Sequence, residues 1–101
     1  MVNDTPLEAA IFHQDIEMVT LLLDKGADAN AVDNQGNTAL MLAANAGEFQ
    51  IVGSLIGARA NVNAKNKESW TALRFARESK SAGEPSGAEI LKLLTKAGAK
   101  E

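Results

Sequence analysis

A chain of 101 residues, 46% hydrophobic and 23% charged, has the size and composition of one ordinary globular unit. Its net charge of −3 argues against a nucleic-acid binder, which needs basic residues to neutralise phosphates. With no cysteine it has no disulfide or thiolate metal site, and its longest aliphatic run, Leu21-Leu22-Leu23, is far too short to span a bilayer. Residues 1–4 lack the basic start and apolar stretch of a signal peptide, so a cytoplasmic protein without membrane contact is the expectation. Aromatic residues make up only 4%, so Ala, Leu, Ile, Val and Met must build the core, and an all-α fold of closely spaced helices suits them.

Taken in chain order, the first helix signal is Thr5-Pro6-Leu7-Glu8: an N-cap Thr, Pro at the first helical position and Glu at N3 form a capping box. That helix is expected to end at Gln14, the place that Gly47 takes in the next copy. A second helix follows, with Ile16, Val19, Leu22 and Leu23 at helical spacing, and stops at Gly26, which suits a left-handed C′ position. Residues 28–36 and 61–69 are rich in Asp and Asn and read as extended turns. Arg59 stands where the second copy should have its terminating glycine, and Gly53 stands in a helix interior. Both are expected weak points.

A shift of 33 positions sets Thr5 against Thr38 and Thr71, Leu7 against Leu40 and Leu73, and Ala10 against Ala43 and Ala76. It also pairs Val19 with Val52, Leu22 with Leu55, and Asn30-Ala31 with Asn63-Ala64. In the third copy the match breaks after Ser79 and resumes six residues later, where Ile90-Leu91 answers Met18-Val19 and Gly98-Ala99 answers Gly26-Ala27. Residues 80–85 are thus an insertion, expected to be an exposed loop, and Ser86-Gly87-Ala88-Glu89 is expected to cap the helix that restarts after it. Three repeats of about 1–32, 33–65 and 66–101 form a single domain.

Thr5-Pro6-Leu7, Gly26-Ala27-Asp28-Ala29-Asn30-Ala31 and the run Asp33-Asn34-Gln35-Gly36-Asn37-Thr38-Ala39-Leu40 resemble the ankyrin repeat, as does Leu42-Ala43-Ala44-Asn45-Ala46-Gly47. The family's usual His is replaced by Glu8, Met41 and Arg74, its Pro by Ala39 and Ala72, and its C-terminal glycine by Arg59. The resemblance implies an ankyrin-repeat solenoid of three helix–turn–helix units with projecting turns. Arg77 and Thr95 put polar residues where the other copies have Ala44 and Leu23 or Ile56, as in a C-terminal cap.

No catalytic constellation is legible, and no cofactor or metal is expected. His13 is the single histidine, and it reads as an exposed residue at a helix end. Residues 28–33 superficially resemble a calcium loop, but Val32 falls where an oxygen ligand belongs and the sixth position lacks glycine. The chain is therefore read as a non-catalytic protein-binding module, of adaptor or inhibitor type, acting as a monomer. The alternative is a structural spacer cut from a longer solenoid.

The resemblance further implies a concave face of inner helices and turn tips that recognises a protein. Carried over, the tips are Val32, Asn34, Gln35 and Asn37 in the first turn, and Lys65, Lys67, Glu68 and Trp70 in the second. Helix ends add Phe12, His13, Asn45, Ala46, Glu78 and Ser79, with Met41 and Arg74 beside them. Trp70 replaces Asn37 and Phe12 replaces Asn45 at matched positions. Apolar side chains at polar positions are expected to be the anchors, Trp70 first and Phe12 second. Lys65, Lys67 and Arg74 are expected to form the charged rim.

Overall fold

The computed structural model describes residues 6–80 and 82–100. Thr38 and Thr71 lie in extended backbone, and their hydroxyls accept the N–H groups of Met41 and Arg74 at 3.2 Å, three residues on. These N-caps start α3 (Ala39–Ala46) and α5 (Ala72–Glu78). The equivalent α1 runs Pro6–Phe12, and the capping box expected of Thr5 lies outside the described residues. Each is followed by a second helix: α2 (Ile16–Asp24), α4 (Phe49–Gly57) and α6 (Pro85–Lys96).

Repetition extends to the helix ends. Gln14 (φ 59°) and Gly47 (φ 76°) are both left-handed, and each lets the next residue's N–H reach back to Ala10 or Ala43. At the close of the second helices Gly26, Arg59 and Gly98 have φ of 94°, 69° and 98°. Ala27, Ala60 and Ala99 then donate to the carbonyls of Leu22, Leu55 and Leu94. Arg59 therefore holds a glycine's conformation at a cost of roughly 1 kcal/mol. α4 is further handicapped by Glu48, whose side chain makes no cap bond, whereas the Asp15 carboxylate accepts the Met18 N–H at 3.1 Å to cap α2. Gly53 is interior to α4, and an added Cβ there meets nothing within 4 Å. Arg59→Gly and Gly53→Ala are each expected to stabilise the fold by about 1 kcal/mol. In thermal unfolding that is a midpoint rise of roughly 4–8 °C each; no rise in either would show that α4 is not the weak element.

α1, α3 and α5 pack side by side as an inner layer, and α2, α4 and α6 as an outer one. Alanines at 10, 39, 43, 44, 72 and 76, all buried, let the inner helices approach closely. Between the layers Ile11, Leu40, Ile51, Leu55, Ile90 and Leu94 are fully buried. The described residues contain no strand, only one antiparallel bridge between Val32 and Thr38.

The insertion lies between α5 and α6, with Lys80, Gly83 and Glu84 exposed and Ala82 half-buried. The restart differs from the expected Ser86 capping box. α6 begins two residues earlier, at Pro85, with Glu84 as N-cap and no side-chain cap bond. Proline's fixed φ and missing N–H suit the first helical position, so Ser86 and Gly87 are absorbed into an extra first turn. Deleting residues 80–85 removes little buried surface and leaves Ser86 and Gly87 to take the connecting places of Gln14 and Asp15. The shortened chain is expected to keep its helical circular dichroism and cooperative unfolding. Loss of either would mean that the insertion is packed into the array.

Candidate functional site

Two hairpin turns project beyond the helices, and a side-chain oxygen organises each. The Asp33 carboxylate accepts the N–H groups of Gln35 (2.8 Å) and Asn37 (2.9 Å), and the Asn37 amide at 3.3 Å. Asn66 does the same in the second turn, its Oδ1 accepting from Glu68 and Trp70 at 2.9 Å. The turns are then tied together: Lys67 N–H donates to the Gln35 carbonyl at 2.9 Å, and Asn66 Nδ2 donates to Asn37 Oδ1 at 2.8 Å. Partial burial acts to raise the Asp33 pKa, but its hydrogen bonds from Asn37 and Gln35 outweigh this and hold it below its ordinary 3.8. A depressed pKa means that the folded state binds this proton less readily than the unfolded chain. Its stabilisation is complete above pH 3.8 and is lost as pH falls through the lowered value. Asp33→Asn, which copies Asn66, is expected to keep the turn at neutral pH and to lessen acid sensitivity. Urea midpoints at pH 7 and pH 3 check this, and an unchanged difference between them would contradict it.

Behind the first turn opens a groove of about 780 Å³, between that turn and α1 and α3. Phe12, His13, Asn34, Gln35, Asn45 and Ala46 line it, all expected from the sequence. Glu8, Ala9, Ile11, Gln14, Asp33 and Leu42 complete the lining, and sequence reasoning had not placed these six at the site. Of these, Ile11 is buried and Leu42 half-buried. Phe12 is 83% exposed and meets His13 edge-on, with ring centroids 5.4 Å apart. Val32, at the base of the turn, is also exposed.

Trp70 is not in this groove. It is half-buried, tilted against Phe75 with centroids 4.9 Å apart, and the Arg74 guanidinium lies 4.2 Å from its ring centre. Lys65, Lys67, Glu68, Arg74 and Glu78 are exposed and Ser79 half-buried, and none of them lines the groove. Met41 is a correction. It is 1% exposed, because its position on α3 is covered where α5 packs, and its Sδ accepts the Thr38 N–H at 3.4 Å. It cannot meet a partner. Asn37 is half-buried, its amide engaged on both sides. Among the described residues no group of His, Asp or Glu could hold a metal, and no helix is long and apolar enough to cross a membrane.

Three stacked helical pairs with linked projecting turns define a repeat scaffold, and the chain belongs to the ankyrin-repeat family. The family model described as "Ankyrin repeats (3 copies)" matches residues 7–100. The human ASB11 ankyrin repeat domain superposes with a TM-score of 0.85 at 24% identity, over 96% of this chain and 41% of that one. Among curated proteins, the probable E3 ubiquitin-protein ligase XBOS33 of Oryza sativa subsp. japonica is 42% identical over 74 residues. Inversin of Canis lupus familiaris is 36% identical over 77. Those matches cover 72% and 76% of this chain but 14% and 7% of the relatives. The likeness is thus to their repeats. Ankyrin repeats are protein-interaction scaffolds without catalytic activity of their own.

Proposed function

We propose that the chain is a non-catalytic protein-binding module, of adaptor or inhibitor type, that seats its partner in the groove between the first turn and α1 and α3. The observation that carries this is Phe12, 83% exposed at the groove's edge. Its own chain gives that ring almost no burial, whereas covering it would contribute about 1.5–3 kcal/mol. Asn34, Gln35 and Asn45 supply hydrogen-bonding rim contacts, and His13 supports the ring. Phe12 takes the leading place that Trp70 holds in the sequence reading, because the Trp70 ring already has Phe75 and Arg74 against it. The module works as a cytoplasmic monomer, without nucleic acid or membrane. The −3 charge supports the exclusion of nucleic acid. The test is affinity capture from cells of the source organism, followed by titration of the purified captured protein. Binding that survives Lys25→Ala on the outer layer and is lost with Asn45→Arg in the groove supports the reading; the reverse pattern refutes it.

A second reading, a spacer within a longer solenoid, is favoured by Met18 and Leu21, both exposed on α2, Met18 where the matched Ile51 is buried. Light scattering separates the two. Self-association relieved by Met18→Lys and Leu21→Lys favours the spacer, and a monomer favours the module.

A further inference from the structure

The third repeat presents a second surface of different chemistry, apart from the groove. Three observations define which side chains face along the stack towards a following unit. Asn37 reaches the next turn through Asn66, and Met41 and Ala44 are buried on the inner helix that α5 packs against. On α2, Thr20, Leu23 and Asp24 line a cleft shared with Ser54 and Gly57 of α4 and with its C-cap Ala58. The repeat register carries these positions to Trp70, Arg74 and Arg77, and to Lys92, Thr95 and Lys96. All but the half-buried Trp70 are exposed. One face thus combines an aromatic ring with four cations. Of the third repeat's carboxylates, Glu68 and Glu78 answer Gln35 and Asn45 at the groove, Glu84 is in the insertion, Glu89 answers Glu17 and Gln50, and Glu101 lies outside the described residues.

Charge is divided along the chain to match. Residues 1–64 hold eight acidic and two basic side chains, and residues 65–101 hold five acidic and eight basic. We infer that this face, centred on Trp70 and Arg74, binds a short acidic protein segment carrying an apolar side chain. Arg74 lies 4.2 Å from the indole centre, a cation–π pair whose planar donors can also take a carboxylate in bidentate fashion. The uncovered part of the indole offers the apolar contact. Lys92 and Lys96, one helical turn apart on α6, extend the cationic field. The molecule measures 31 × 27 × 23 Å, so such a face spans only about seven extended residues. A longer polyanion such as nucleic acid would run on to the acidic first two repeats and be repelled, which favours a peptide.

Trp70 is the single tryptophan and so reports its own site by fluorescence. The probe is a synthetic nonapeptide with one central leucine among glutamates. Its controls are the same peptide with glutamine for glutamate and a nine-nucleotide oligo-dT. The acidic peptide is expected to change the emission saturably, and the glutamine peptide is not. Affinity should fall about tenfold or more on raising salt from 0.05 to 0.5 M, and likewise in Arg74→Glu and in the double variant Lys92→Glu/Lys96→Glu. Lys25→Glu should bind normally. The double variant alters only exposed side chains, so it serves if Arg74→Glu does not fold. No saturable change, an equal response to the glutamine peptide, tighter binding of oligo-dT, or unweakened binding by the double variant would each overturn the inference. Phe12→Ala should leave the signal intact, which separates this face from the groove.

Discussion

Gly36→Val is expected to destabilise the fold by about 2–4 kcal/mol. Two penalties add. Gly36 sits at φ 79°, a conformation that a β-branched residue adopts only under strain of about 1–2 kcal/mol. A Cβ there would also lie 3.2 Å from Lys67 N and 3.3 Å from Asn66 Cα. Both neighbours are backbone, held by the Lys67–Gln35 and Asn66–Asn37 bonds that join the turns, so neither can yield cheaply. The matched position in the second turn, Ser69, has nearly the same φ of 68° in a non-glycine residue. Ser69→Gly should therefore stabilise by up to about 1 kcal/mol while Gly36→Val destabilises. Chemical denaturation of both variants checks this. Equal effects would mean that backbone strain alone acts at these positions, and that the close approach of the two turns contributes nothing.

Phe12→Ala should weaken partner binding by about 2 kcal/mol, some thirtyfold, while shifting stability by less than about 0.5 kcal/mol. The asymmetry follows from exposure. The ring is buried by almost nothing in the free chain, so truncation removes little from the fold and much from a complex that covers it. Calorimetric titration beside a thermal melt distinguishes the cases. A lowered melting point with unchanged affinity would make Phe12 a partner of His13 within the fold and nothing more.

The fold was legible because its signals are local and repeated. Threonine caps, left-handed helix ends and apolar spacing recur at one interval, and each copy corroborates the others. Even Arg59, a departure from the pattern, was readable, since its neighbours' bonds leave no conformation but a glycine's. The start of α6 was not, because Ser86-Gly87-Ala88-Glu89 and Pro85 are competing start signals, and which one wins depends on how the insertion joins the pair. The site was legible only in part. Projection identified Phe12, Asn34, Gln35 and Asn45 as groove residues, because turn tips and helix ends are fixed by the repeat. It misassigned Met41, since burial at that position depends on the next repeat's α5, and the same register leaves Arg74 exposed. Trp70 stood out as an aromatic ring at a polar repeat position, but its pairing with Phe75 and Arg74 needs side-chain packing that no repeat comparison supplies.

Amide spectra of the labelled chain report whether the groove at Phe12 holds the protein partner. On titration with the captured protein, the largest shifts should fall at Phe12, His13, Asn34, Gln35 and Asn45, with α2 and α4 nearly silent. Shifts confined to α2, at Met18 and Leu21, with the groove unmoved, would rule out the groove as the binding site and make this array a spacer.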